Sequence, residues 1–378
     1  MKNEIKNELA ELRLKGLARS LRNRDELGLV NFSSNDYLGL AVHPVVVNAA
    51  AAALREFGVG GAASRLLAGT VTPHTELETA LAKFLGKEAA LVFSSGYHAN
   101  TGIIPALMSA KDFVFFDRLA HASIIDGVRL SGAPFSAFDH NDAADLEARL
   151  EKHRAKGRRS LIITEGIFSM DGDRPPLKEL ARLAKTWDSW LYVDEAHSLG
   201  VTGPGGRGIA AEEGLLAEID VHVGTLSKTL GSQGGFAAGS RTLIDFLISR
   251  CRSLAYTTAL APALAAAALA ALKLLPGLEN EMAGLQSASA GLRAALKEMG
   301  FNCANSSSQI IPVVTGSVEA TKALSDYLLS QGYFVPSIRP PTVPAGEGRV
   351  RLSISQAVLN DVNSLVHAFR GGKLVQAS

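Results

Sequence analysis

Between residues 89 and 239 the chain returns repeatedly to apolar runs of strand length. They fall at 89–93, 112–116, 133–138, 160–164, 190–194, 220–224 and 234–239. Runs such as Ala89-Ala-Leu-Val-Phe93 and Trp190-Leu-Tyr-Val-Asp194 read as buried strands. Helical stretches separate most of them. Strands joined through helices predict an α/β fold, with a mainly parallel seven-stranded sheet and helices on both faces. Residues 1–36 precede this as an N-terminal helical arm. Leu9, Leu12, Leu14, Leu17 and Leu21 lie mainly at helical spacing among Arg, Lys and Glu, so residues 1 to about 30 read as an amphipathic helix. The charged turn Asn23-Arg-Asp-Glu26 is expected to end it. The large α/β domain is expected over 37–262. A smaller α+β lobe over 263–378 would begin at an Ala-rich helix and hold strands near 310–314, 333–338 and 349–354.

The 378 residues are enough for a large core and two or three lobes. Lys and Arg total 38 against 37 acids, a formal charge of +1, which offers no basic face for nucleic acid. Cys251 and Cys303 are the only cysteines and form neither a disulfide framework nor a metal cluster. The charged start, Met1-Lys-Asn-Glu-Ile-Lys-Asn-Glu8, lacks the apolar stretch of a signal peptide. The most apolar stretch, Ala259 to Leu272, contains Pro262 and is too short to cross a bilayer, so a buried helix is expected. No membrane association and a cytoplasmic location are the resulting expectations.

The chemistry gathers at the ends of the strands. Trp190-Leu-Tyr-Val-Asp194 ends in an acid, with His197 three residues on. The later run Asp220-Val-His-Val-Gly-Thr-Leu-Ser-Lys228 leads to a lysine, with Thr225 three residues before it. Taken singly, the lysine reads as a solvated loop residue and the Asp194-Glu195 pair as a Mg²⁺ ligand. Together they are what pyridoxal phosphate requires. A lysine holds the aldehyde as a Schiff base, and a carboxylate keeps the ring nitrogen protonated so that the ring can accept an electron pair. His197 could donate to the phenolic oxygen. Ser94-Ser-Gly-Tyr97 follows a strand and opens a helix, a cradle of backbone N–H groups for a phosphate. Gly203-Pro-Gly-Gly-Arg-Gly208 also fits the dinucleotide fingerprint. Its nearest strand ends too far upstream and Pro204 interrupts the turn, so a flexible loop near the active site is the preferred reading.

These residues carry a resemblance. The sequence resembles the α-oxoamine synthases, fold-type I pyridoxal phosphate enzymes that join an amino acid to an acyl thioester and release CO₂. The markers are Asn31-Phe-Ser-Ser-Asn-Asp-Tyr-Leu-Gly39, Ser95-Gly-Tyr97, His121-Ala-Ser123, Glu165-Gly-Ile-Phe-Ser-Met-Asp-Gly172, Val193-Asp-Glu-Ala-His197 and Thr225-Leu-Ser-Lys228. Six short motifs in order over nearly the whole chain make the resemblance specific. Ile338-Arg-Pro-Pro-Thr-Val-Pro-Ala-Gly346 is similar to the member that condenses L-alanine with a pimeloyl thioester on the route to biotin.

The resemblance implies roles. Lys228 is the Schiff-base lysine, Asp194 the partner of the pyridine nitrogen, His197 the donor to the phenolic oxygen and His121 the ring-stacking histidine. Ser95, Gly96 and Tyr97 form the phosphate turn and Thr225 adds a hydroxyl. Thr257 reaches the phosphate of a second subunit, which implies a homodimer with shared active sites. Ser169 and Asn35 lie near the substrate carboxylate, which Arg351 pairs with through its planar fork. Arg19 and Thr342 match substrate positions more loosely. Ser64 stands where glycine-specific relatives carry threonine, so an alanine side chain should fit. Acyl-CoA and acyl carrier protein both remain open as thioester carriers. Another α-oxoamine synthase, such as the glycine-using 2-amino-3-ketobutyrate ligase, is the alternative. The chain departs from many relatives in a shorter segment before Asn31, in alanines within Gly58-Val-Gly-Gly-Ala-Ala-Ser-Arg65, and in Ala120 before His121.

Overall fold

Seven strands form one sheet, and their residues explain why both of its faces are covered. They are β1 (Ala89–Phe93), β2 (Phe113–Asp117), β3 (Phe135–Phe138), β4 (Ser160–Glu165), β5 (Trp190–Asp194), β6 (Val221–Thr225) and β7 (Gly235–Gly239). The computed structural model describes residues 1–21 and 28–376. Every residue of β1, β2, β4, β6 and β7 is buried, as is β5 apart from the partly buried Trp190, and β3, at one edge, shows most of its residues to solvent. Alternate side chains then serve opposite cores. Ala89, Leu91 and Phe93 of β1 join Ile103, Ile124, Val223 and Ala237 on one face. Ala90 and Val92 join Leu81, Phe236, Leu269 and Leu272 on the other.

The strand order is β1-β7-β6-β5-β4-β2-β3. β2 pairs in parallel with β3 and β4, β4 with β5, and β5 with β6. β7 alone runs against its neighbours, β1 and β6. The fold is that of the fold-type I pyridoxal phosphate transferases. Parallel register brings the carboxyl ends of β4, β5 and β6 to one edge, with Glu165 beside Asp194 and Asp194 beside Val223. In sheets of this kind ligands bind at that edge.

The chain divides into two compact units. The larger comprises residues 36–169 and 174–283, and the smaller 1–35, 170–173 and 284–378. The Ala-rich helix, expected to open the small lobe, runs Pro262–Leu274 within the larger unit. Ala265, Ala267, Ala268 and Ala271 are buried in the core of the second sheet face, where small side chains allow close approach. The smaller unit holds an antiparallel sheet ordered Ser337–Ile338, Gly348–Ser353, Ile310–Gly316, with helices Val318–Ser330 and Val362–Gln376. Val30–Asn31 pairs in parallel with Tyr333–Phe334.

The N-terminal helix is shorter than its leucines suggest. It spans Lys2–Leu14 and stops because Gly16 takes a left-handed backbone, φ +64°. The Leu17 amide then reaches Leu12 O at 2.8 Å and the Gly16 amide reaches Arg13 O at 3.0 Å, a Schellman termination. Leu17 and Leu21 therefore lie outside the helix, and the expected turn at 23–26 falls outside the described residues. Among the described residues no single helix is long and apolar enough to cross a membrane.

The glycine loop at 203–208 is a pinned turn, where a flexible one was expected. Gly208 N donates to Thr202 O at 2.9 Å and Gly206 N to Gly203 O at 2.9 Å. The Glu195 carboxylate accepts from Ile209 N and Ala210 N at 2.9 and 2.8 Å just beyond it. A Cβ at Gly208 would sit 2.2 Å from the Glu195 carboxylate, so no larger residue fits there.

Candidate active site

β1 passes through Ser94 and Ser95 into the helix Gly96–Leu107. Ser95 caps that helix by accepting from His98 N at 3.0 Å, while the first amides, Gly96 and Tyr97, point out of its N-terminus. Gly235 of β7 lets the turn lie close, since a Cβ there would fall 2.7 Å from Gly96 N. A Cβ on Gly96 would lie 3.5 Å from Thr225 Oγ1, so the β6 hydroxyl faces the same turn. Thr225 Oγ1 donates to Gly234 O at 2.9 Å and stands 2.8 Å from Ser227 Oγ. The aromatic ring of Tyr97 does not enter this cradle. It is half-exposed, and its hydroxyl donates to Asp126 at 2.6 Å, which raises its pKa because the carboxylate favours the phenol.

Asp194 ends β5 and is 7% exposed. Its Oδ1 accepts from Ala196 N at 3.0 Å and its Oδ2 from Asn100 Nδ2 at 2.8 Å. Lys228 lies half-buried just past β6, in a turn closed by Gly231 N to Lys228 O at 2.9 Å. The His121 ring is open to solvent. Surrounding protein nonetheless lowers its pKa by burial. The Asp194 charge raises it and the Lys228 charge lowers it, so the three groups act on one another. Glu165, at the end of β4, accepts from His121 N at 2.5 Å. Burial, with the neighbouring Asp194 charge, pushes its carboxyl well above the usual range.

His197 is buried, with Nδ1 2.6 Å from the hydroxyl of the fully buried Tyr37. Ser169 is buried shortly after β4. Ser64 and Thr257 sit on two segments held together, Ala259 N donating to Ala63 O at 2.9 Å. Arg65, next to Ser64, forms a buried ion pair with Glu78 at 2.9 Å. The pair grips the backbone of Val92, whose carbonyl accepts from Arg65 and whose amide donates to Glu78. In the smaller unit Arg351 is buried, with both terminal nitrogens 3.4 Å from Asn35 Oδ1. Arg19 Nη2 donates to Thr342 Oγ1 at 2.8 Å, and both line a cavity of about 550 Å³.

Asn100, Ser123, Tyr192, Tyr37 and the Arg65–Glu78 pair were not singled out from sequence. Tyr37 and Ser123 lay inside the marker motifs without a role of their own, and two others had a positional signal. Tyr192 is two residues before Asp194 on the same strand, hence on the same face, and Asn100 is one helical turn past Gly96. Among the described residues no His, Cys, Asp and Glu cluster could hold a metal.

A lysine just past β6, a buried carboxylate ending β5 and a glycine cradle at a helix N-terminus fit pyridoxal phosphate. The pattern of the family described as aminotransferase class I and II covers residues 28–369. The chain belongs to that family. Its cofactor is pyridoxal 5′-phosphate, for which the buried Asp194 acceptor and the Gly96–Gly235 close approach provide matching chemistry. The chain is 46% identical to the 8-amino-7-oxononanoate synthase of Pelobacter propionicus, over 94% of this chain and 93% of that protein. It is equally identical to the enzyme of that name from Geobacter sulfurreducens, with the same coverage. Among solved structures it resembles the serine palmitoyltransferase of Sphingomonas wittichii, with TM-score 0.89, 35% identity and coverage of 92% and 88%. It also resembles the 8-amino-7-oxononanoate synthase of Francisella tularensis, with TM-score 0.80, 27% identity and coverage of 92% and 98%.

Proposed function

We propose that this chain is an 8-amino-7-oxononanoate synthase of biotin biosynthesis. It condenses L-alanine with a pimeloyl thioester, releasing CO₂ and the free thiol carrier. The observation that carries the reading is near-full-length identity of 44–47% to eight relatives bearing that name, on a chain that retains the Lys228, Asp194, His121 and His197 set. The same relatives favour it over the glycine-using alternative.

Pyridoxal phosphate, when bound, supplies a sink for the electron pair left on the alanine α-carbon. Lys228 Nζ takes the α-proton and returns one at the end of the reaction. The Asp194 carboxylate would face the pyridine nitrogen of the bound cofactor and hold a proton there. His197 orients toward the phenolic oxygen, with Tyr37 fixing its ring. Ser95, Gly96, Tyr97 and Thr225 hold the phosphate, Tyr97 through its amide. By resemblance Ser169 and Asn35 are substrate-carboxylate residues, and the planar Arg351 fork would bind that carboxylate. Arg19 and Thr342 contact the substrate, and Ser64 leaves room for the alanine methyl. Bonds balance: the α-C–H breaks, a C–C bond forms at the thioester carbonyl and C–S breaks. Loss of CO₂ is then followed by protonation of carbon.

Assembly and location belong to the same proposal. The enzyme is a cytoplasmic homodimer, with Thr257 of each protomer serving its partner's phosphate and CoA or acyl carrier protein bearing the acyl group. The test is mass-spectrometric detection of 8-amino-7-oxononanoate from purified protein, L-alanine and pimeloyl-CoA. Glycine, L-serine and acetyl- and palmitoyl-CoA serve as comparators. Faster condensation of glycine with acetyl-CoA, or of serine with palmitoyl-CoA, would overturn the assignment.

A further inference from the structure

Three elements of the larger unit, the helix Gly96–Leu107, β5 and the helix Ala122–Ser131 with its cap His121, meet in one hydrogen-bond chain whose donor directions can be counted. The side-chain nitrogen of Asn100 faces Asp194 and donates to Oδ2 at 2.8 Å. That orientation turns Asn100 Oδ1 toward Tyr192, whose buried hydroxyl donates to it. Burial, with the Asp194 charge, raises the Tyr192 pKa well above the ordinary phenol value, which keeps that proton in place. The second N–H of Asn100 goes to Ser123 Oγ at 2.9 Å. Ser123 Oγ lies 2.7 Å from His121 Nδ1, and with one lone pair taken by Asn100 its own proton is free to point there. The Ser123 amide also points at that nitrogen, at 3.2 Å. An amide N–H can only donate, so Nδ1 is the acceptor, and the Ser123 hydroxyl facing the same nitrogen then donates to it as well.

We infer that Asn100 is a positioning residue that sets two active-site groups at once: it orients the Asp194 carboxylate and, through Ser123, holds His121 as the neutral imidazole protonated on Nε2. The exposed edge of the ring is then a single N–H donor, available to an oxygen of substrate or cofactor. The charges facing the ring are Asp194, Lys228 and Asp126, and Glu165 anchors its backbone amide. Burial already holds the ring below its ordinary pKa, in the same direction as the two donors. The inference rests on the proposed function only for what the Nε2–H meets, since the tautomer is the same whichever amino acid the enzyme takes.

The experiment is long-range proton–nitrogen correlation on holoenzyme carrying ¹⁵N-labelled histidine, with the His121 signals among the nine histidines identified by their loss in His121→Gln. Wild type should show an unprotonated Nδ1 and a protonated Nε2 through neutral pH. Asn100→Ala should give a mixture of tautomers and raise the His121 titration midpoint by about one pH unit. Ser123→Ala, which removes one hydroxyl and endangers folding less, should raise that midpoint as well. The visible absorbance of the cofactor separates the two arms. Its pH titration should shift in Asn100→Ala, which disturbs Asp194, and stay in place in Ser123→Ala, which does not. A proton on Nδ1 in wild type, an unmoved His121 midpoint in either variant, or equal absorbance shifts in both would overturn the inference.

Discussion

His222 offers a stability prediction whose size follows from its place in the fold. It lies in β6, the strand that leads to Thr225 and Lys228, and is fully buried. It pairs with Ala238, whose side chain joins the second core, so the imidazole faces that apolar layer. Neither ring nitrogen has a hydrogen-bond partner among the described residues. Burial, with a smaller contribution from the Lys87 charge, lowers its pKa from 6.5 to about 3. The unfolded chain therefore binds a proton that the folded chain refuses between those two values. Stability is full above pH 6.5 and falls as pH drops from there toward 3. Each pH unit costs about 1.4 kcal/mol, so at pH 5 the loss is about 2 kcal/mol.

His222→Leu removes the titration without orphaning a partner, since nothing bonds the ring. It should leave stability near pH 8 unchanged or slightly raised and flatten the decline between pH 6.5 and 5. Trp187 and Trp190, the only tryptophans, lie just before and at the start of the neighbouring strand β5 and report on the larger unit. Urea unfolding followed by their fluorescence at several pH values measures the slope. Parallel loss of stability in wild type and variant would refute the reasoning and shift the acid sensitivity to other groups.

Three further outcomes are expected. Asp194→Asn keeps the shape but loses the charge, and should slow exchange of the alanine α-proton in heavy water by about 10²–10³-fold, the equivalent of about 3–4 kcal/mol; near-normal exchange would contradict the role. Ser64→Thr should lower turnover with L-alanine more than with glycine, by about tenfold for one crowded methyl, and an unchanged ratio in a competition assay would place Ser64 outside the side-chain pocket. Glu78→Gln leaves Arg65 buried against a neutral partner and should lower unfolding stability by about 3 kcal/mol, with loss of cofactor retention as a second readout because the pair grips Val92 just before the phosphate turn.

The sheet was legible because its strands are short, apolar and separated by helices. All seven expected runs fall within two residues of the observed strands. The arm was misread for a local reason. Leu17 and Leu21 continue the helical spacing, but Gly16 terminates the helix at low cost in a left-handed conformation, and periodicity does not register that. The glycine run 203–208 was read as flexible because its composition permits many turns. What pins it is Glu195, a buried carboxylate whose partners, Ile209 and Ala210, lie 14 and 15 residues further on.

The site divides along the same line. Lys228, Asp194 and the Ser95–Tyr97 turn were visible because each sits at the end of its own strand, where a few neighbouring residues define its setting. The groups that orient them were hidden because their partners are distant in sequence. Asn100 meets Ser123 across 23 positions, Tyr192 across 92 and Asp194 across 94. A single asparagine in a helix is unremarkable as a letter. It becomes specific only once the parallel register carries β5 past the helix Gly96–Leu107 and aligns Tyr192 and Asp194 on the face that meets it. Chemistry that depends on one residue type at one strand end can be read from the chain. Chemistry that depends on the direction of a shared proton requires the fold, since only there can donors and acceptors be counted.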